Sequence, residues 1–467
     1  MNSSDKLFAV LLGSLIAGAG YPQMARAEDP SAASTSTPTV DSLNQRLTAL
    51  EQQVQTNQTN TTTASSQQSQ ASAAGVTAEG RQGFTIKSPD GNFKLQFSGL
   101  LQTDARFYTS GGASTASDTF LVRRARPILA GTLDGFYGFF IQPDFGQGTT
   151  VLYDAYLEIK PWDYLNFRAG KFKNPLGLER LQTDSYLLFA ERSLASDLIP
   201  QRDTGVEFYG GFLNNALTYQ TSLTNGAADG GLDDLETSNH PEGDLRIFAQ
   251  PFKNTSVRVL QKLGLGVAGS YSGLNTQLPT FKTESGQTTF FSYNSNVNAN
   301  GEHARINPEA NYYNGAFGFQ SEYVKSSEVL QLTPAKGAIA KDRLANEAWD
   351  VATSWVLTGE NASYTGVMPK HNFDPHAGTW GAWEIAARYS ELRVDPDTFT
   401  LGFSPATSAQ KAQAVTLGIN WYLNGNVRIT TDYTDTNYTG GNLSANGKNT
   451  IDRPDEQVFL TRWQLAF

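Results

Sequence analysis

From Phe93 onward, apolar and polar positions alternate along the chain. Between Phe93 and Phe107 the odd positions are apolar or small, and the even ones are mostly polar. The same period of two runs through Val151 to Ile159, Leu217 to Leu223, Val415 to Trp421 and Val427 to Tyr433. Successive side chains of a strand point to opposite faces, so each segment predicts a strand with two unlike faces. One face is apolar or aromatic; the other carries Gly, Asn, Thr, Asp, Glu or Arg. A soluble sandwich would turn the apolar face inward and a membrane barrel would turn it out to lipid, and alternation alone fits both.

Three features decide for the barrel. The alternating runs exceed the ordinary globular strand and approach the length needed to cross a bilayer with tilt. Aromatics collect near strand ends, at Phe107-Tyr108, Phe136-Tyr137, Tyr312-Tyr313, Trp421-Tyr422 and Tyr438, as interfacial girdles require. The chain closes with Phe459, Thr461, Trp463, Leu465 and Phe467 on one face, a pattern that resembles the assembly signal of bacterial outer-membrane barrels. Long connections are expected near 109–119, 145–150, 173–203, 226–242, 273–304, 326–346, 394–411 and 439–455. Eight of them predict an all-β, 16-stranded antiparallel transmembrane barrel over residues 83–467. Asn424-Gly425 marks one of the tight turns at the other end.

The N-terminus reads differently. Lys6, the apolar stretch Leu7 to Gly20 and Ala25-Arg26-Ala27 form an export signal over residues 1–27, too short to span a bilayer. Residues 28–82 form a leader. Val40, Leu43, Leu47, Leu50 and Val54 recur at spacings of 3 and 4, a short coiled-coil-like seam on one helix face. Residues 55–74 are almost entirely Thr, Gln, Asn, Ser and Ala, a polar tether that cannot bury a core. Either a self-associating helix on a tether or an amphipathic, disordered leader fits this segment.

Composition agrees with a chain that is greasy outside and polar inside. Charged residues are only 17% of the 467, hydrophobic residues 39%, Gly 43 in number, and mean hydropathy is −0.38. The net charge of −10 argues against a nucleic-acid partner. Cys is absent, which excludes disulfides and thiol chemistry, and with 4 His and 3 Met no metal or other cofactor is expected.

The stretches Phe120-Leu-Val-Arg-Arg-Ala, Val151-Leu-Tyr-Asp-Ala, Gly170-Lys-Phe, Gly177-Leu-Glu-Arg180, Phe189-Ala-Glu-Arg192, Leu357-Thr-Gly-Glu360, Gly381-Ala-Trp-Glu384 and Thr416-Leu-Gly-Ile-Asn-Trp-Tyr422 carry a further signal in their order. In that order the chain resembles the phosphate-selective porin O and P family of Gram-negative outer membranes. The resemblance implies a passive channel for small anions such as phosphate, a homotrimer in outer-membrane lipid, and delivery to the barrel-assembly machinery through Phe467. It also implies that the loop after the fifth strand, 173–203, folds into the lumen as a constriction. Arg180 and Arg192 then stand at the family's basic constriction positions, Asp154 on the opposing wall, and Arg123 with Arg124 at a basic pair leading inward. Lys171 and Lys173 flank the same loop and make it locally basic. One departure is plain: the family's arginine ladder from the fifth outer loop is thin here, where 274–304 offers only Lys282 and His303, with Arg305 next.

Other motifs yield to simpler readings. Gly264 to Gly269 matches G-x-G-x-x-G but sits in a strand pattern with no helix after it. His371 to His376 reads as a polar connection, and Asp435 to Gly440 lacks the acidic residue that would complete a calcium loop. No Ser, His and acid grouping suggests an enzyme. A general porin without anion preference and a plugged structural or adhesive barrel are the alternatives to an anion channel.

Overall fold

The computed structural model describes residues 40–71, 75–78, 83–109, 116–232, 234–235, 239–274, 278–334, 339–447 and 450–467. The expected export signal lies outside them. Two units are present. The first contains the helix α1, Val40–Ala71, whose Leu47, Leu50 and Val54 are exposed. The helix continues past Val54 into the segment expected to be a tether, where residues 55–58 are exposed, in keeping with their polar composition.

The second unit is the barrel. Its strands are β1 Lys94–Tyr108, β2 Thr119–Leu133, β3 Tyr137–Asp144, β4 Val151–Trp162, β5 Leu165–Phe172 and β6 Asp203–Phe212. They continue with β7 Leu217–Thr224, β8 Glu242–Ala249, β9 Leu263–Leu274, β10 Val297–Asn314 and β11 Phe317–Leu332. The last five are β12 Ala340–Val356, β13 Ala382–Arg393, β14 Ala409–Tyr422, β15 Val427–Leu443 and β16 Glu456–Ala466. Each pairs antiparallel with the next, and β16 returns to β1 with Val458 opposite Tyr108 and Ala466 opposite Leu100. Closure gives the backbone groups of every strand a partner, which is what lets strands cross lipid. The sheet also begins earlier than the alternation suggests: Phe84–Lys87 pairs with the start of β1, and Gly75–Ala78 pairs with Phe84–Lys87.

The two faces separate as expected. Phe459, Trp463 and Leu465 of β16 are exposed on the outside, while Arg462 and Gln464 between them are buried in the lumen. Gly264 and Gly266 face inward on β9, where the Phe248 ring lies over both; a Cβ would sit 2.4 Å and 2.7 Å from it. All eight long connections occur at one end. Three of them are shorter than expected by five residues or more, because β10 starts at Val297, β11 runs to Leu332 with β12 starting at Ala340, and β15 runs to Leu443. Ala299 and Leu330 there pack with Leu344 and Phe403, so chain that reads as a loop gains a buried inner face. At the other end, 357–381 is longer than a hairpin turn. Its Ala362 and Val367 pack inside with Val356, Ala382 and Tyr422, and its His376 lies exposed in a turn capped by Asp374.

Candidate functional site

The loop between β5 and β6 enters the lumen and is held there from both sides. Gly177 has φ of +79°, and a Cβ on it would lie 2.5 Å from Ile199 Cδ1, so the fold of the loop on itself requires glycine at this position. Its N–H donates to Asn307 Oδ1 at 2.9 Å, and the next two N–H groups, of Leu178 and Glu179, donate to the Glu322 carboxylate at 2.9 and 3.2 Å. Across the lumen, wall side chains take up the loop's carbonyls. Arg428 donates to Leu187 O at 2.8 Å, Asn420 to Leu188 O at 2.8 Å, Gln464 to Ser185 O at 3.0 Å, and Arg462 to Ala190 O. A loop buried inside a barrel must satisfy its backbone in this way or not fold there. Above it, Leu176, Leu194, Leu198 and Ile199 form a dry cluster with Phe281, Phe290 and Phe291 of the fifth outer loop. That loop therefore packs through apolar side chains and contributes no ladder of arginines.

Two bulges in the wall create the polar face opposite the loop. Gln102 pairs with Arg124 but Thr103 pairs with Val122, so Arg123 is an extra residue, and both arginines reach the lumen. Likewise Gln142 pairs with Asp154 and Pro143 with Leu152, which frees Tyr153. Its ring lies between Arg126 and Arg202, whose guanidinium carbons are 4.1 and 4.9 Å from the centroid.

Two loop carboxylates hold most of these cations. Glu191 accepts from Arg123 Nε at 2.6 Å, Arg462 Nη2 at 2.7 Å and Arg106 Nη2 at 3.1 Å. Asp184 accepts from Arg192 Nη1 at 2.5 Å and from Arg126, with Arg124 Nη2 at 3.4 Å. Burial would raise both carboxyls, but the surrounding arginines outweigh it and hold them well below the usual carboxylate range.

Between loop and wall lies a cavity of about 430 Å³ bounded by Arg123, Arg124, Arg126, Arg180, Arg192 and Arg202, with Lys282 from the fifth outer loop. Arg180 is the exception among the arginines. Its Nη2 donates to the Ser196 carbonyl, its Nε has no protein acceptor, and no carboxylate pairs with it among the described residues. Burial and the neighbouring charges of Arg192 and Arg202 push it down to about 10, so it stays charged at neutral pH.

Of the seven residues singled out from sequence, the cavity gathers Arg123, Arg124, Arg180 and Arg192. Asp154 lies behind it, bonded to Arg202 Nε at 3.1 Å. Lys173 is tucked under the loop and donates to Leu181 O and Gln182 O at 3.2 and 2.8 Å; burial, then Arg202 and Arg192, push its ammonium well below the ordinary value. Lys171 is not brought to the cavity. It stands opposite Ala155 and Thr204 on the outward side of β5 and pairs with Asp234. Sequence reasoning missed Asp184, Glu191, Arg126 and Arg202 as site residues, and noted Lys282 only as a remnant of the fifth-loop ladder. Arg126 could have been found, since two residues after Arg124 it must share that residue's face.

A closed sixteen-stranded barrel with an apolar outer band, a charged lumen and an inward loop defines a porin of the Gram-negative outer membrane. The family described as phosphate-selective porin O and P matches residues 93–467, and the chain belongs to that family. Porin O of Pseudomonas aeruginosa is 25% identical over 431 residues, covering 84% of this chain and 93% of that protein. Among solved structures, the outer membrane channel DcaP of Acinetobacter baumannii is similar at 10% identity and a TM-score of 0.50, over 81% of this chain and 99% of that one. Pseudomonas putida OprB is similar at 10% identity and a TM-score of 0.48, over 80% and 94%.

Proposed function

We propose that this porin passes small anions, phosphate among them, through the constriction between the 173–202 loop and the wall of β2 to β4. The observation that carries the reading is Arg180, a buried guanidinium that faces the cavity with no carboxylate partner. In a narrow, partly dry passage its planar donors replace water around an oxyanion. Arg123, Arg124 and Arg192 add positive potential, trimmed by Glu191 and Asp184, so a bound anion is held without being trapped. Asp154 acts indirectly, by occupying Arg202. The family's name and the 25% identity to Porin O support phosphate as one permeant ion. The test is the reversal potential in a KCl gradient across a planar bilayer, followed by titration with phosphate. Anion preference and block of chloride current by phosphate are expected; cation preference would sink the reading.

A non-conducting, structural barrel is the second reading, favoured by the apolar cluster of the fifth outer loop and by the 357–381 segment packed inside. The same bilayer experiment would show it as absence of channels.

Trimer formation also belongs to this proposal. Strands β3, β5, β7 and β8 have only 8 residues each, against 18, 16 and 17 in β10, β11 and β12. A tilted strand needs about 9–11 residues to cross the hydrocarbon, so the low wall over β3 to β8 is suited to being covered by further copies of the chain.

A further inference from the structure

A separate polar cluster lies at the root of the constriction loop. Asn174, just after β5, is fully buried against the inward face of β7 and β8. Its Nδ2 donates to Asp244 Oδ2 at 3.2 Å and stands 3.5 Å from Thr224 Oγ1. Asp244 Oδ2 also accepts from Ser222 Oγ at 2.6 Å. Register places Asp244 opposite Ser222 and Glu242 opposite Thr224, so these side chains share one inward patch. Glu242 accepts through Oε2 from Arg305 Nη1 at 2.7 Å.

Three oxygens of this patch have no protein donor: Asn174 Oδ1, Asp244 Oδ1 and Glu242 Oε1. Their residues are 0%, 3% and 0% exposed. Buried acceptors left this way are costly, and three together call for one positive group that serves them all. The local cations are spoken for. Arg305 is shared between Glu242 and Asp229, at 2.7 Å to each, and among the described residues Asp244 has no ion-pair partner. The neighbouring Asp203 carboxylate is occupied by the N–H groups of Thr204, Gly226 and Ala227.

We propose that Asn174, Glu242 and Asp244 form a binding site for a divalent cation, Ca²⁺ in the first place, that fastens the root of the constriction loop to the β7–β8 wall. The donor set is all oxygen, two carboxylates and an amide carbonyl with a hydroxyl beside them, which suits a hard cation. Ca²⁺ tolerates irregular coordination better than Mg²⁺, and this patch was not laid out as an octahedron by any one element. The site does not depend on the anion reading, because none of the three residues lines the cavity. The competing explanation is a single proton shared between the two carboxyls.

The experiment uses the full chain folded in lipopolysaccharide-free detergent, stripped with EDTA, and then dialysed against labelled Ca²⁺. One saturable Ca²⁺ per chain is expected, weakened at least tenfold by Asn174→Ala and lost in Asp244→Asn, with the exposed Asp374→Asn as an unchanged control. No saturable ion on the folded wild-type chain, the result a shared proton would give, overturns the proposal. So does equal binding by Asp244→Asn. Should Asp244→Asn fail to give a heat-modifiable barrel, Asn174→Ala decides alone, since its side chain lies outside the strands, and unchanged binding there overturns the site.

Discussion

Arg123 grips the Glu191 carboxylate with two hydrogen bonds, 2.6 Å from Nε and 3.0 Å from Nη2, and so joins the bulge of β2 to the constriction loop. Arg462 and Arg106 reach the same carboxylate from the far side of the β1 seam. The loop is therefore held by charge at Glu191, as it is at Asp184 and at Glu179, which takes Arg388 Nη1 at 2.9 Å, and by backbone hydrogen bonds along its length.

That arrangement makes Glu191 the most sensitive single position of the loop. Glu191→Gln leaves buried guanidinium groups without their common partner, a loss on the order of 3–5 kcal/mol when one side of a buried ion pair is removed. The temperature at which the folded form disappears on heat-modifiability gels is expected to fall. Surviving channels should be noisier and more anion-selective than wild type. An unshifted transition would mean that the loop is not held through this carboxylate.

Arg180 and Arg192 are expected to separate in function. Arg180→Gln removes the one arginine of the cavity that pairs with no carboxylate among the described residues, and should cut anion preference and phosphate block with little effect on stability. Arg192→Gln takes away the Asp184 partner at 2.5 Å, and with it the hydrogen bonds to Glu179 O and Gln182 O, so it should lower stability as well. The double change to Glu should reverse or abolish chloride-over-potassium selectivity. If the reversal potential of the double variant matches wild type, the constriction lies elsewhere.

Asp197 gives the channel a pH dependence. Burial raises its carboxyl to about 7, against hydrogen bonding from the Lys282 N–H and the attraction of Arg180. Below pH 7 it is neutral and leaves Arg180 unopposed; above, its charge offsets that cation. Anion selectivity should therefore be higher at pH 6 than at pH 8, and Asp197→Asn should remove the difference. For stability, a raised carboxyl means that the folded state binds more protons than the unfolded one. Its contribution is thus most favourable at low pH and declines between about 4 and 7. Reversal potentials measured at the two pH values, in wild type and variant, check this.

Phe467 closes the seam. Its N–H and C=O exchange hydrogen bonds with Gly99 at 3.0 and 2.7 Å, and its ring lies 6.0 Å from Phe97 and 6.2 Å from Phe84. Replacing it with Asp should strongly reduce the heat-modifiable barrel in the outer-membrane fraction. Deleting residues 40–54 should not, because the barrel ladder closes without them. Equal loss from the replacement and from the deletion would show that the leader takes part in folding.

The period of two determined the strands and separated their two faces, because each residue's face follows from its neighbours alone; strand length, aromatics near strand ends and the closing aromatic pattern then gave the apolar face to lipid. The spacing of long connections determined sixteen strands, and the family resemblance implied that the loop after the fifth turns inward. What the loop's charges do was decided only in three dimensions. Arg462 and Asp104 are 358 positions apart yet meet at 2.6 Å, and no local pattern can announce such a pair. Strict alternation would also have set Arg123 and Arg124 on opposite faces; one extra residue in β2 turns both inward, and that bulge depends on pairing with β1. Lys171 shows the converse, a lysine beside the loop in sequence that the register of β5 directs away from it. Composition could count the cations near the constriction. Only the packed lumen decided which of them are neutralised, because the Coulomb field at each guanidinium is set by carboxylates that distant strands and loops bring beside it.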